Sequence, residues 1–366
     1  HDAIGARTLN ITGANGYAVS FGATTLNGAA TFNTGTANAT LGGPVGGAFG
    51  LTKAGTDDLV LPATNTYSGP TSVDGGRLLL TGSIANSPRI DVKAGGIFDV
   101  TSAVGGFTLS ATQTLSGAGI VLGNVTVASG GRIEAGDAIG AGTLAIENLI
   151  LGTTAGETAT LRVSPNETTL GVNVFSANGL VANGGASSVT VNIAGMAPAL
   201  GTYVLVDYDG AIGGTGFSAF TLGTLPPRMI ATLQDNGVNT SIDLNVTGVD
   251  FPIWKGALSS EWSTATLAAP KNWVLASNNN LTTDYLANDS VTFNDVATGT
   301  MVDVSVADVT PFVVNFDNNT KNSTITGSKA ITGAASLIKK GTGVVTISNT
   351  NSFTGTVILN EGTVRV

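Results

Sequence analysis

"LTKAGTDDLVLPATNTYSGPTSVDGGRLLL" fills residues 51–80, and "LIKKGTGVVTISNTNSFTGTVILNEGTVRV" fills residues 337–366. Laid over one another, the two stretches align without a gap. Leu51, Lys53, Gly55, Thr56, Thr64, Asn65, Gly69 and Gly76 fall on Leu337, Lys339, Gly341, Thr342, Thr350, Asn351, Gly355 and Gly362. A chain that repeats both its apolar and its glycine positions in this way encodes one supersecondary unit twice. The substitutions between the repeats separate the faces of each strand. Leu59 and Leu61 become Val345 and Ile347 while Val60 becomes Thr346; Leu78 and Leu80 become Val364 and Val366 while Leu79 becomes Arg365. Positions that stay apolar point inward and their neighbours outward, the period-2 signature of a strand. Three such short strands within one repeat suit one coil of a three-sided solenoid whose coils stack at the strand spacing of roughly 4.8 Å. A β-sandwich is the competing layout.

The rest of the chain agrees with a β-rich reading. Fifty-one glycines, eleven prolines and only 11% charged residues among 366 leave little material for helices. Hydrophobic residues at 42% suffice for a core, and with aromatics at 6% that core is mainly aliphatic. Short apolar runs punctuated by Gly, Asn, Asp or Ser recur, among them Ile90–Val92, Ile120–Leu122, Leu144–Ile146 and Leu161–Val163. Their spacing is too short for βαβ crossovers. A net charge of −9 argues against nucleic acid and against an anionic membrane surface. No apolar run reaches the length of a membrane helix, so membrane insertion is not expected. Without cysteine, neither disulfides nor thiolate metal sites are possible. No leader peptide is visible and the chain starts at His1, so a mature or excised segment of something longer is expected.

Three regions follow. Residues 1–199 read as a β-solenoid module, and 200–249, with longer strands and the Pro226-Pro227 stop, as a β-rich cap. Residues 250–366 read as a second β-solenoid module that opens on Trp254, Trp262 and Trp273.

The repeat, in the form L-x-K-x-G…L-x-L…N-x-[YF]-[ST]-G…V-x-x-G-x-L, resembles the autotransporter-associated β-strand repeat of bacterial surface proteins. "LSGAGIVLGNVTVASGGRIEAGDAIGAGTLAIENLIL" at 115–151 resembles the segment that follows it in autotransporter passengers. "WKG…W…NW…DSVTFND" resembles the opening of the same module type. The resemblance implies an all-β, right-handed parallel β-helix, extracellular and in a multi-copy array. Two departures stand out. No barrel-forming segments appear at the C-terminus, so no translocator is expected within the chain. Asp57 and Asp58 give way to Gly343 and Val344 in the second repeat.

Chemistry has few footholds. His1 is the only histidine, which excludes His-based triads with an internal partner. The carboxylate pairs are Asp57-Asp58 in a turn, Asp207 and Asp209 on one strand face, and Glu134 with Asp137; each reads as turn or strand-end polarity before catalysis. No catalytic, cofactor or metal residue is assigned. Calcium is the one cofactor left open, with "DNGVNTSID" at 235–243 the loosest match to a binding loop. The tryptophans with Tyr285 form either a carbohydrate platform or a hydrophobic plug over the first coil of the second module, and the plug is preferred. Lys53/Lys339 and Asn65/Asn351 read as turn and ladder residues. Sequons such as those at Asn38, Asn166 and Asn322 follow from composition. The expectation is therefore an extracellular structural segment of a fibre or adhesin stalk that partners itself head to tail, residues 360–366 meeting residues 3–12 of the next copy. The alternatives are a β-helix that binds or cleaves surface polysaccharide, and the passenger of an autotransporter adhesin.

Overall fold

The computed structural model describes residues 2–13, 16–136, 142–163, 175–194 and 200–366. Strands dominate, and the one helical element among the described residues is a 3-10 turn at Gly216–Ala219. The chain divides into two compact units, His1–Gly248 and Val249–Val366.

The first unit is a parallel β-solenoid. A 10-stranded sheet runs from Thr8–Ile11 to Phe220–Leu222, and a 13-stranded sheet collects the alternate strands beginning with Ala18–Phe21. A third side is a true sheet only in the first coils, where Asp2–Ile4, Thr24–Leu26 and Val45–Gly47 pair. The alternation read from the repeat is what builds it: Leu59 and Leu61 are buried and Val60 is not, and Leu78, Leu79 and Leu80 follow suit. Because parallel strands stack in register, inward side chains form continuous columns. Val19, Ala39, Leu59, Leu78, Phe98, Val121, Ile146, Ala177 and Tyr208 make one, each paired with the next. A column of this kind buries its apolar surface against the coils above and below, so no coil is stable alone.

Between residues 200 and 249 the architecture changes partway. Gly201–Tyr208 still pairs in parallel with Phe175–Ala182, and Phe220–Leu222 with Val189–Ile193. Only then does Ser241–Val249 return antiparallel along Gly201–Tyr208. The four residues between Met229–Asn236 and Ser241–Val249 are too few for a crossover, so the chain turns back and covers the sheet edge.

The second unit opens antiparallel, with Asn278–Thr283, Trp273–Leu275 and Pro252–Trp254 side by side. From Pro252–Trp254 onward it is parallel, through Ser290–Asn294, Val313–Asp317, Ser336–Lys340 and Val357–Leu359. A companion sheet of Met301–Asp303, Ser323–Thr326, Val344–Ile347 and Thr363–Arg365 is parallel throughout.

Candidate functional site: the lysine clasp of the repeat

Lys53 is the residue that hydrophobic patterning alone would not place inside. It sits at an inward position of Leu51–Ala54, in a column between Phe32 on the coil before and Val73 on the coil after, and it is fully buried. An isolated buried ammonium is costly, so its hydrogen bonds decide whether it is tolerated. Nζ donates to the backbone carbonyls of Ala54 at 2.9 Å, Gly55 at 3.1 Å and Gly75 at 2.9 Å. The first two belong to its own turn and the third to the next coil, so the side chain clasps one coil to the following one. Burial still pushes its pKa down to about 8, against the opposing fields of Asp58 and Asp57.

Lys339 repeats the own-turn part of the arrangement in the second unit. It is fully buried between Phe316 and Leu359, and Nζ donates to the carbonyls of Lys340 at 2.5 Å and Gly341 at 2.6 Å. Burial lowers its pKa too, opposed by Glu361, Asp317 and Asp295. The carboxylates at Asp57 and Asp58 are absent here, and Glu361 stands where the first repeat has Gly75. Negative charge has moved from one side of the turn to the other. The glycines shared by both repeats make room: a Cβ on Gly76 would lie 2.7 Å from Lys53 Nζ, and one on Gly362 would lie 2.8 Å from Lys339 Nζ. Both also adopt positive φ, +61° and +78°.

The shared asparagines act on the other side of the coil. Asn65 Oδ1 accepts the N–H of Val45 at 2.9 Å, one coil back, while Nδ2 donates to Ser83 O at 3.0 Å, one coil forward. Asn351 Oδ1 accepts the N–H of Ile331 at 2.7 Å in the same sense. Where the repeats differ, they differ in pairs. Tyr67 Oη and Thr71 Oγ1 lie 2.6 Å apart and buried, and Thr71 continues to Ser87 Oγ at 2.9 Å; the second repeat has Phe353 and Val357, losing both hydroxyls together. Arg77 pairs with Asp58 at 2.5 Å and with Asp99 at 3.2 Å; Thr363 and Val344 replace Arg77 and Asp58, and hold the same register.

The likeness also extends one coil upstream, which a fixed-offset alignment hides behind a two-residue slip. "TFNTGTANATL" at 31–41 corresponds to "NFDNNTKNSTI" at 315–325. Asn38 Oδ1 accepts the N–H of Asp58 at 3.0 Å, and Asn322 Oδ1 accepts that of Val344 at 2.8 Å. The signal was in the sequence as N-x-T-[LI], too short to read without the coil it supports.

The remaining candidate residues are structural in their contacts. Asp58 is held by Arg77, and Glu134 lies 3.0 Å from Arg89 and 3.9 Å from Arg162, bridging coils. Asp137 lies outside the described residues, as does Asn166. Asp207 and Asp209 are exposed. In 235–243, Asp243 is buried and spends its carboxylate on Ser241 at 2.7 Å and Asn236 at 2.9 Å, and Asp235 accepts from Tyr208 at 3.0 Å. Among the described residues no three His, Cys, Asp or Glu side chains gather closely enough to hold a metal ion. The tryptophans are inside: Trp254, Trp262 and Trp273 are at most 1% exposed and pack edge to face with one another, Tyr285 and Phe293. No ring face is open to a sugar, so the arrangement is a plug. A shallow depression of about 290 Å³ on the first unit, lined by Ile120, Leu122, Ala145, Glu147 and Asn178, offers one carboxylate, and Glu147 is engaged by the N–H of Gly123 at 2.7 Å.

Fold and clasp together define a β-solenoid whose recurring feature is a coil-stacking repeat. Residues 51–80 and 337–366 both match the passenger-associated-transport-repeat family model, so the chain carries two such repeats and its β-helix is of the autotransporter-passenger type. No curated protein matches the chain.

Proposed function

We propose that the chain is a structural segment of a bacterial passenger displayed outside the cell, where it spans distance as a stalk and carries out no catalysis. The observation that carries this reading is the direction in which the repeat's matched polar side chains point. Lys53, Lys339 and Asn65 spend their hydrogen bonds on backbone of their own or adjacent coils, and Asn351 on backbone and on the neighbouring Asn349 side chain. Matched residues that serve to brace a coil's turns and lay coils upon one another suit a protein whose product is length. The stacked backbone ladders and buried apolar columns also suit exposure to proteases, which need locally opened chain. With the tryptophans inside, any contact with surface polysaccharide falls to the outer faces of the sheets.

Labelling of intact producing cells with a membrane-impermeant amine reagent, followed by peptide mass spectrometry, tests the reading. Exposed Lys329 and Lys340 are expected to react while Lys53 and Lys339 stay protected. Labelling of Lys329 and Lys340 only after lysis would place the protein inside the cell and overturn it.

A further inference from the structure

We infer that the outer face of the first unit carries a binding groove for a neutral polysaccharide, centred on Glu147. This deepens the stalk reading, on which it rests for the glycan's being within reach. Two adjoining depressions, of about 290 and 340 Å³, share Glu147 as a common wall. They lie where strand alternation breaks. Ile146 and Leu149 of Leu144–Leu151 both point inward, which turns Glu147 and Asn148 outward side by side. One coil on, Ala177 and Leu180 are buried and Asn178 and Gly179 are not. One coil back, Leu122 and Gly123 stand against the single residue Glu147, a bulge that leaves the Gly123 N–H outside the ladder. Glu147 accepts that N–H through Oε2 at 2.7 Å, and its other oxygen has no partner among the described residues.

The unspent polar groups choose the ligand. Elsewhere in this unit asparagines hold coils together. Asn38 and Asn65 accept backbone N–H groups at 3.0 and 2.9 Å, Asn183 donates to Gly152 O at 3.2 Å, and Asn192 accepts from Thr224 at 2.6 Å. The amides of Asn124, Asn148 and Asn178 make no such bond among the described residues, and all three line the groove. An amide both donates and accepts, as a sugar hydroxyl does. Ile120, 44% exposed, and Ala145 add a short apolar strip beside Glu147, suited to the C–H face of a pyranose ring. No lysine, arginine or histidine lines either depression, so an acidic glycan would meet Glu147 with nothing to offset its charge. A lysine or arginine side chain would satisfy Glu147 and leave the amide N–H groups without acceptors. One wall, the loop 101–106, is held at both ends. Asp99 accepts the N–H of Thr101 at 3.0 Å and its hydroxyl at 2.6 Å, and a Cβ on Gly106 would lie 2.6 Å from Asn124 O. A groove fixed in this way needs little ordering when it binds.

A glycan array probed with the purified full chain, followed by titration calorimetry of the strongest neutral chains, tests this. Wild type is expected to bind neutral hexose chains and to leave polygalacturonate and sialylated chains unbound. Glu147→Gln keeps an acceptor for the Gly123 N–H and removes the charge, and is expected to weaken binding on the order of tenfold. Ile120→Lys, at an exposed position, sets a cation beside Glu147 over the apolar strip and is expected to weaken it at least as much. Asp209→Asn, exposed and outside the groove, is expected to bind as wild type does. A silent array, a preference for acidic chains, or a complex with hexalysine in place of glycans would overturn the groove. Neutral-glycan binding that survives both Glu147→Gln and Ile120→Lys would overturn it too. A silent array with Lys329 and Lys340 still labelled on intact cells would leave the stalk reading in place. Glycan binding by a chain never labelled outside the cell would keep the groove and remove the stalk.

Discussion

At the scale of single residues, the informative contrast is between Gly75 and Gly76. Gly76 has φ +61° and would place a Cβ 2.5 Å from Gly55 O and 2.7 Å from Lys53 Nζ, whereas a Cβ on Gly75 meets nothing nearer than 3.4 Å. The second repeat agrees, with Gly362 at the first position and Glu361 at the other. Gly76→Ala is therefore expected to destabilise the first unit by about 1–3 kcal/mol, and Gly75→Ala to be near neutral, as read by urea denaturation. Lys53 makes the second residue-scale prediction. Its pKa is about 8 when folded and stays near about 10.4 in the unfolded chain. Across that interval the unfolded chain holds a proton that the folded chain has released, so stability rises with pH. Burial raises the Tyr67 pKa, which reverses the trend above the ordinary tyrosine value of about 10. Denaturation of the first unit from pH 8 to 10 should show a gain in stability that Lys53→Met lacks, while Lys339 keeps its own gain in the second unit; parallel curves for the first unit would mean that its clasp does not titrate.

At the scale of the element, the two repeats show which contacts are coupled. Tyr67 with Thr71 and Arg77 with Asp58 are exchanged as pairs, since changing one member alone takes a partner from the other. Tyr67→Phe or Thr71→Val alone is expected to cost about 1–3 kcal/mol by leaving a buried hydroxyl short of its partner. The double variant recreates the apolar pair of the second repeat and should cost less than the sum of the two. Strictly additive losses in a double-mutant cycle would show that the 2.6 Å contact carries no coupling.

At the scale of the whole molecule, the two units carry different spectroscopic labels. All three tryptophans lie in the second unit, buried among Tyr285, Phe293 and Phe316. Tryptophan emission therefore follows the second unit alone, while far-ultraviolet circular dichroism follows both. Trp273→Ala is expected to cost the second unit about 3–5 kcal/mol and to shift the fluorescence transition while the first unit's share of the dichroism melt stays in place. A common shift in both signals would show instead that the units unfold as one.

Strand alternation and the paired repeats made the solenoid legible in the sequence, because period 2 and glycine spacing are local and survive without knowing what touches what. Leu59, Leu61, Leu78 and Leu80 point inward as their substitutions imply. Three things needed the tertiary structure. The burial of Lys53 depends on a carbonyl from the next coil, 22 residues along. The upstream match through Phe32 and Phe316 is masked by a slip that only strand register removes. The tryptophans could have faced sugar or core, and their closure by Phe293 and Tyr285 is a matter of packing between coils. Sequence determined the coil because a coil's pattern is written along the chain. What each coil grips was decided across chain-distant neighbours, where hydrogen bonds and burial act through space.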